Sequence, residues 1–385
     1  MYIPYGRQQI NDEDTQAVVD VLRSDFLTQG PAVPAFEKAV ASACGSAHAV
    51  AVNSATSALH LACLALEVAP GDRVWTSPIT FVASANCARY CGASVDFVDI
   101  DPRTYNMSPG ALAEKLQSAE ASGTLPKVVV PVHFGGQSCD MEAIGKLSRR
   151  YGFKILEDAS HAIGGSFGGR PIGSCAHSDI AVFSFHPVKI VTTGEGGVAV
   201  TNDGAIARRM ELLRSHGISR DAREMTRADE GGWYYEQLAL GFNYRMTDMQ
   251  AALGRSQIGR LQTWVARRNE IADAYDQELA GLPLTTPHRD RNNRSAMHLY
   301  VVLFQDDSGR ARREAFDAMR GAGVGVNVHY IPVHLQPDYA RFGFRLGSLP
   351  VAESYYRRTL SVPMFPGLTD EQRCFVVEKL RGTVS

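Results

Sequence analysis

The chain has 385 residues, 45% hydrophobic and 21% charged, and a formal net charge of −2 from 39 basic and 41 acidic residues. That length predicts two or three domains around a large core and excludes a disordered chain, a collagen-like chain and a disulfide-stapled miniprotein. No basic run or stripe marks a nucleic-acid partner, and apolar stretches such as Val128 to Val132 fall far short of the roughly 20 residues that cross a bilayer. The start, Met1-Tyr2-Ile3-Pro4, has no signal-peptide pattern, and the 7 cysteines form no C-x-x-C pair. Reduced thiols in a cytoplasmic protein are therefore expected, with neither zinc nor disulfides.

In chain order, short β-branched runs alternate with helical patterns from about residue 47 to residue 202. The predicted strands are 48–52, 73–77, 94–99, 127–132, 153–157, 179–184 and 197–201, with helical patterns such as 57–66 and 141–150 between them. Several strands are apolar nearly throughout, as when both faces are covered. The alternation predicts an α/β unit on a mainly parallel seven-stranded sheet. The last two strands are too close for a crossover helix, so one of them is expected to run antiparallel. A long amphipathic stretch follows at 247–279, then a polar, proline-containing segment at 281–294. A domain boundary is placed there: residues 1–280 form the large domain and 281–385 a smaller α+β domain. The smaller one is read as a strand at 299–304, a helix at 310–322, a strand at 324–330 and a helix at 369–381.

Three segments carry chemistry. Asn53-Ser54-Ala55-Thr56-Ser57 follows a strand and opens a helix. Small residues let a ligand approach the backbone, and the free N–H groups of a helix start favour a phosphate. Asp158 ends a buried strand, where α/β sheets place their sites, and a buried carboxylate needs a cationic partner. Lys189 closes the run Ser184-Phe185-His186-Pro187-Val188-Lys189 after another buried strand, with almost no charge around it. Only seven of the basic residues are lysine. A desolvated lysine can lose its proton, which arginine cannot, and the neutral amine forms Schiff bases. Taken singly, these segments read as a helix cap, a salt bridge and a surface lysine. Together they form the set that pyridoxal phosphate requires: a phosphate site, an acid for its ring nitrogen and a Schiff-base lysine. The sequence has no Walker A, H-E-x-x-H or G-x-S-x-G pattern, and its 11 histidines have no metal-ligand spacing, so no metal is expected.

Over nearly its whole length the sequence resembles the DegT/StrS family of nucleotide-sugar aminotransferases, which have the aspartate-aminotransferase fold (fold type I). Residues 24–31, 75–86 and 184–189 are similar in particular to the transaminases of pseudaminic acid biosynthesis. The resemblance implies pyridoxal 5′-phosphate as cofactor and Lys189 as its covalent anchor and proton-transfer base. It implies Asp158 at the pyridinium nitrogen, His161 at the phenolic oxygen or ring, and Phe81 stacked on the ring. Ala55, Thr56 and Ser184 would hold the phosphate. Asn243, in Gly241-Phe242-Asn243-Tyr244-Arg245, would reach the phosphate of a neighbouring subunit, which implies a homodimer with shared active sites. Contacts to a UDP-sugar are implied for Tyr5, for Asp25, Phe26, Leu27 and Thr28, and for His329, Tyr330, Ile331 and Pro332.

The implied reaction moves the amine of L-glutamate to C4 of UDP-2-acetamido-2,6-dideoxy-β-L-arabino-hexos-4-ulose. The product would be UDP-4-amino-4,6-dideoxy-N-acetyl-β-L-altrosamine, made for surface glycans such as those of flagellin. Other readings share this residue set: an aminotransferase for another 4-keto or a 3-keto nucleotide sugar, a cofactor enzyme of small amino acids, or a regulatory protein of the same fold without turnover. Relatives that dehydrate the sugar carry histidine in place of the lysine, and Lys189 argues against that chemistry.

Overall fold

The structure, a computed structural model, describes residues 2–227, 229–290 and 292–384. After helices α1 (Asp12–Leu22) and α2 (Ala32–Cys44), strands and helices alternate. They run β1 (His48–Val52), α3 (Ala55–Ala65), β2 (Arg73–Thr76), α4 (Ala83–Tyr90), β3 (Ser94–Phe97), α5 (Pro109–Ser122), β4 (Val128–Val130), α6 (Met141–Tyr151) and β5 (Lys154–Asp158). A small hairpin, β6 (Ser166–Phe167) with β7 (Arg170–Pro171), precedes β8 (Ile180–Ser184) and β9 (Gly197–Thr201). Seven of these strands form one sheet in the order β1-β9-β8-β5-β4-β2-β3. Strand β9 runs antiparallel to both its neighbours, β1 and β8, while β8, β5, β4, β2 and β3 are mutually parallel. The short link between β8 and β9 holds no helix, which leaves only the antiparallel return.

Both faces of the sheet are covered. Side chains alternate across a strand, and β8 shows the consequence. Ile180 and Val182 join a core with Leu59, Val74, Phe97 and Leu156. Ala181 and Phe183 join the opposite core with Phe36, Val198, Trp264 and Val265. All five residues of β8 are buried, which explains why the strand reads as a continuous apolar run.

Helix α7 (Gly204–Arg214) leads to a short ladder, β10 (Ile218–Ser219) with β11 (Glu236–Gln237), and then to α8 (Asp248–Ile258) and α9 (Leu261–Glu278). The stretch expected to be one amphipathic run at 247–279 is thus two helices. Thr247 and Gln250 form a capping box that starts α8. The break falls at Gly259 and Arg260, where Arg260 leaves the helical region to pair with the buried Asp14 of α1 at 2.5 Å.

Beyond residue 280, β12 (Leu284–Thr285), β13 (Tyr300–Phe304) and β14 (Thr359–Val362) form an antiparallel sheet. Helices α10 (Arg310–Gly321), α11 (Pro337–Ala340), α12 (Pro350–Arg358) and α13 (Asp370–Arg381) accompany it. Its core joins Tyr300, Val302, Met319 and Leu360 to Tyr275 of α9 and to Ile3 from the chain start. The strand expected at 324–330 does not form, and β14 takes that place in the sheet. The segment 324–330 changes partners midway: Val324 bridges Ile3 and Asn327 bridges Ser361. Each of these is an isolated bridge to a different segment, so the β-branched pattern never becomes a ladder. Among the described residues, no helix is long and apolar enough to cross a membrane.

Candidate active site

The carboxyl ends of β5 and β8 and the start of α3 open onto a cavity of about 590 Å³. At α3, the Ser54 side chain accepts from the Ser57 N–H at 3.1 Å. The N–H groups of Ala55 and Thr56, first in the helix, have no intrahelical acceptor, and both residues line the cavity. Gly197 lets β9 pass directly beneath them: a Cβ there would lie 2.5 Å from Ala55 N. Buried Ser184 ends β8 on the same side.

Asp158 ends β5. Its Oδ2 accepts from Ser84 Oγ at 2.5 Å and its Oδ1 from the Ser160 N–H at 3.1 Å. Ser84 is tied in turn to Thr80 Oγ1 at 2.7 Å. Lys189 enters the cavity from the loop after β8. Burial pulls its pKa down to about 8, outweighing the opposite pull of the Asp158 carboxylate. About a tenth of the amine is therefore neutral at pH 7, far more than for a solvated lysine, and the neutral form is the one that Schiff-base chemistry requires.

His161 receives the Gly135 N–H at Nδ1, 3.3 Å away, and its Nε2 lies 3.1 Å from Tyr330 Oη. Burial holds its pKa well below the usual imidazole value, and the nearby Lys189 and His329 add to the effect. Burial, with Lys189, likewise takes His329 down to about 3. The His329 ring bonds Ser361 Oγ at 2.8 Å and packs 5.5 Å from the Tyr5 ring. Phe81 stands at the mouth, 60% exposed.

Of the residues singled out in the sequence, Tyr5, Ala55, Thr56, Phe81 and Ser184 thus share one cavity with Asp158, His161 and Lys189. His329 and Tyr330 join them from the C-terminal part of the chain. Others lie outside its lining. Asp25, Phe26, Leu27 and Thr28 are exposed and anchored at the start of α8, where the Asp248 N–H donates to Leu27 O at 3.0 Å. Ile331 is exposed and Pro332 buried. Asn243 is exposed, in a segment whose backbone bridges Ser215.

Sequence reading missed Thr80, Ser84, Ser160 and Gly135. Thr80 and Ser84 did carry a signal. They flank the start of α4 with i, i+4 spacing, just after a strand end, much as Asn53 and Ser57 do at α3. Gly135 acts through its backbone and gave none.

The residues present fit pyridoxal phosphate: free helix-start amides suit a phosphate, a held carboxylate suits a pyridinium N–H, and an amine of lowered pKa suits a Schiff base. Fold and cavity together define the class, a pyridoxal-phosphate-dependent transferase of fold type I. Residues 8–381 match the DegT/DnrJ/EryC1/StrS aminotransferase family, and the chain belongs to it as a sugar aminotransferase. It is 42% identical over 387 aligned positions to the spore coat polysaccharide biosynthesis protein SpsC of Bacillus subtilis, covering 100% of this chain and 97% of that protein. Among solved structures, Helicobacter pylori PseC, an aminotransferase involved in the biosynthesis of pseudoaminic acid, superposes with a TM-score of 0.91 at 30% identity, covering 100% of this chain and 99% of that one. The PLP form of Spr1654 from Streptococcus pneumoniae gives 0.90 at 28% identity, covering 100% and 99%.

Proposed function

We propose that this sugar aminotransferase carries the amine of L-glutamate to C4 of the L-arabino 4-keto-6-deoxy UDP-N-acetylhexosamine, on the route to pseudaminic acid. The observation that carries the chemistry is the Lys189 amine, its pKa lowered to about 8, in one cavity with the held Asp158 carboxylate. The sugar is supported by the likeness to PseC.

When bound, pyridoxal phosphate supplies an electron sink for charge that develops at the substrate's amine-bearing carbon. The chain's residues do the rest. Ala55 and Thr56 N–H groups, with Ser184, hold the phosphate. Asp158, fixed from two sides, keeps a proton on the ring nitrogen. Phe81, at the cavity mouth, would supply an aromatic contact to the ring. Lys189 would hold the group covalently, and its Nζ, when free as the neutral amine, would serve as the base that takes a proton from the donor's Cα and, as the ammonium so formed, as the acid that gives the same proton up to the cofactor carbon. Positioned acid–base groups of this kind contribute about 10²–10⁴ in rate.

In this reading Tyr5, His329 and Tyr330 meet the sugar nucleotide inside the cavity. Asn243 and the segment Asp25 to Thr28, together with Ile331 and Pro332, act at a site shared across a homodimer. A second reading keeps every residue role and changes the sugar to another 4-keto or a 3-keto nucleotide sugar; the observation behind it is the 42% identity to a protein of spore coat polysaccharide biosynthesis, higher than the 30% to PseC. The test offers the L-arabino 4-keto sugar, its D-xylo epimer and a 3-keto nucleotide sugar to the enzyme with L-glutamate, and identifies products by NMR. An axial C4 amine formed fastest from the L-arabino sugar supports the first reading. Preference for either competitor replaces it with the second.

A further inference from the structure

His161 is surrounded by four titratable groups: Lys189, His298, His329 and Tyr330. Its two ring nitrogens have different partners. The Gly135 N–H, which can only donate, meets Nδ1 at 3.3 Å. A nitrogen that accepts carries no proton, so the neutral ring holds its proton on Nε2. Nε2 lies 3.1 Å from Tyr330 Oη, so the ring N–H donates and the tyrosine oxygen accepts. The hydroxyl proton of Tyr330 is then uncommitted, and Tyr330 lines the same cavity as Lys189 and Asp158.

The surroundings keep this order in place. Burial holds His161 neutral, and burial raises the Tyr330 pKa so that it keeps its proton. Gly135 occupies the left-handed region at φ +64°, where glycine is favoured. Its loop is pinned on both sides. The His133 N–H donates to Asp158 O at 3.0 Å, and the His133 ring bonds the buried Glu157 carboxylate at 2.6 Å. The Leu299 N–H donates to Gly135 O at 3.2 Å. The loop that sets the His161 proton is therefore fixed to the strand end that carries Asp158.

We propose that the Gly135 N–H, acting through His161, makes Tyr330 a one-way hydrogen-bond donor into the cavity, directed at a negatively polarised oxygen of the bound ligand. Gly135 and His161 are positioning residues for that donor. The oxygen is either the phenolate of the cofactor or an oxygen of the keto sugar. Only its identity rests on the function proposed above; the tautomer does not.

Two measurements test this. In the full-length protein carrying ¹⁵N-histidine, with His161→Gln as the assignment control, His161 should show a bare Nδ1 and a protonated Nε2 from about pH 6 to 9, without cofactor as well as with it. A proton on Nδ1, or an imidazolium at neutral pH, overturns the proposal. In Tyr330→Phe, loss of a donor to the phenolate raises the pH midpoint of the bound cofactor's visible band by about 1. If that midpoint stays put, binding of the keto UDP-sugar weakens about tenfold while binding of UDP alone is unchanged, which assigns the donor to the sugar. If neither changes, Tyr330 donates to nothing and the proposal fails.

Discussion

The floor of the cavity and its rim are built on different terms. On the floor, the side chains around Lys189 are each held by a second group: Asp158 by Ser84 and Ser160, His161 by Gly135 and Tyr330, His329 by Ser361. At the rim and beyond it, Phe81 is 60% exposed and Phe26 52%, and Asn243 is exposed too. Fixed geometry is what proton transfer and charge stabilisation need. Exposed aromatics and amides are what a surface that still has to close on a partner or ligand displays. The chemistry is therefore expected to depend on residues of one chain, and recognition on the assembled protein.

Substitutions on the floor should have the largest effects. Lys189→Ala should lower amine transfer by about 10⁴ or more in single-turnover assays, and Lys189→Arg should do no better, since a guanidinium cannot serve as this base. Asp158→Asn should lower kcat by roughly 10²–10³ with little change in KM, because it removes charge needed in the transition state. Ser84→Ala should cost only about tenfold, since the Ser160 N–H still holds the carboxylate. Equal losses in Asp158→Asn and Ser84→Ala would erase the distinction between a group that acts and one that positions.

The rim side of the comparison is sharpened by mixing subunits. Asn243→Ala alone should weaken cofactor retention about tenfold or more, the usual scale for a hydrogen bond to a charged group. If Asn243 serves the neighbouring subunit, a mixture of Lys189→Ala and Asn243→Ala chains forms hybrid dimers with one intact site and regains activity. No recovery on mixing would return Asn243 to its own chain. A further effect is a pH dependence. Cofactor capture needs the neutral amine, and the Lys189 pKa is lowered to about 8. The capture rate of cofactor-free protein should rise about tenfold per pH step below about 8 and level off above it, as stopped-flow absorbance would show. A rate still climbing at about pH 10 would indicate a solvated lysine.

The split between floor and rim also explains what the sequence made legible. Strand ends carry Asp158 and Ser184, Lys189 follows in the loop after β8, and buried strands announce themselves as apolar runs, so those positions can be read from local pattern. Ser84 meets Asp158 across 74 positions of sequence and Tyr330 meets His161 across 169, contacts that no local pattern encodes. The segment 324–330 has strand-like residues, but its partner changes from Ile3 to Ser361 within it, and composition says nothing about who the neighbour is. The same holds for 247–279, where the helix breaks at Arg260, whose partner Asp14 lies 246 positions away in the sequence.

The most direct test of the central claim, that Lys189 is the covalent anchor of an amine-transfer cycle, is a visible absorption titration of the purified protein loaded with pyridoxal phosphate. The account predicts a band of lysine-bound cofactor that is lost on adding L-glutamate, returns on adding the keto UDP-sugar, and never forms in Lys189→Ala. A band of equal strength in Lys189→Ala, or one indifferent to L-glutamate and every other amine donor, would contradict it.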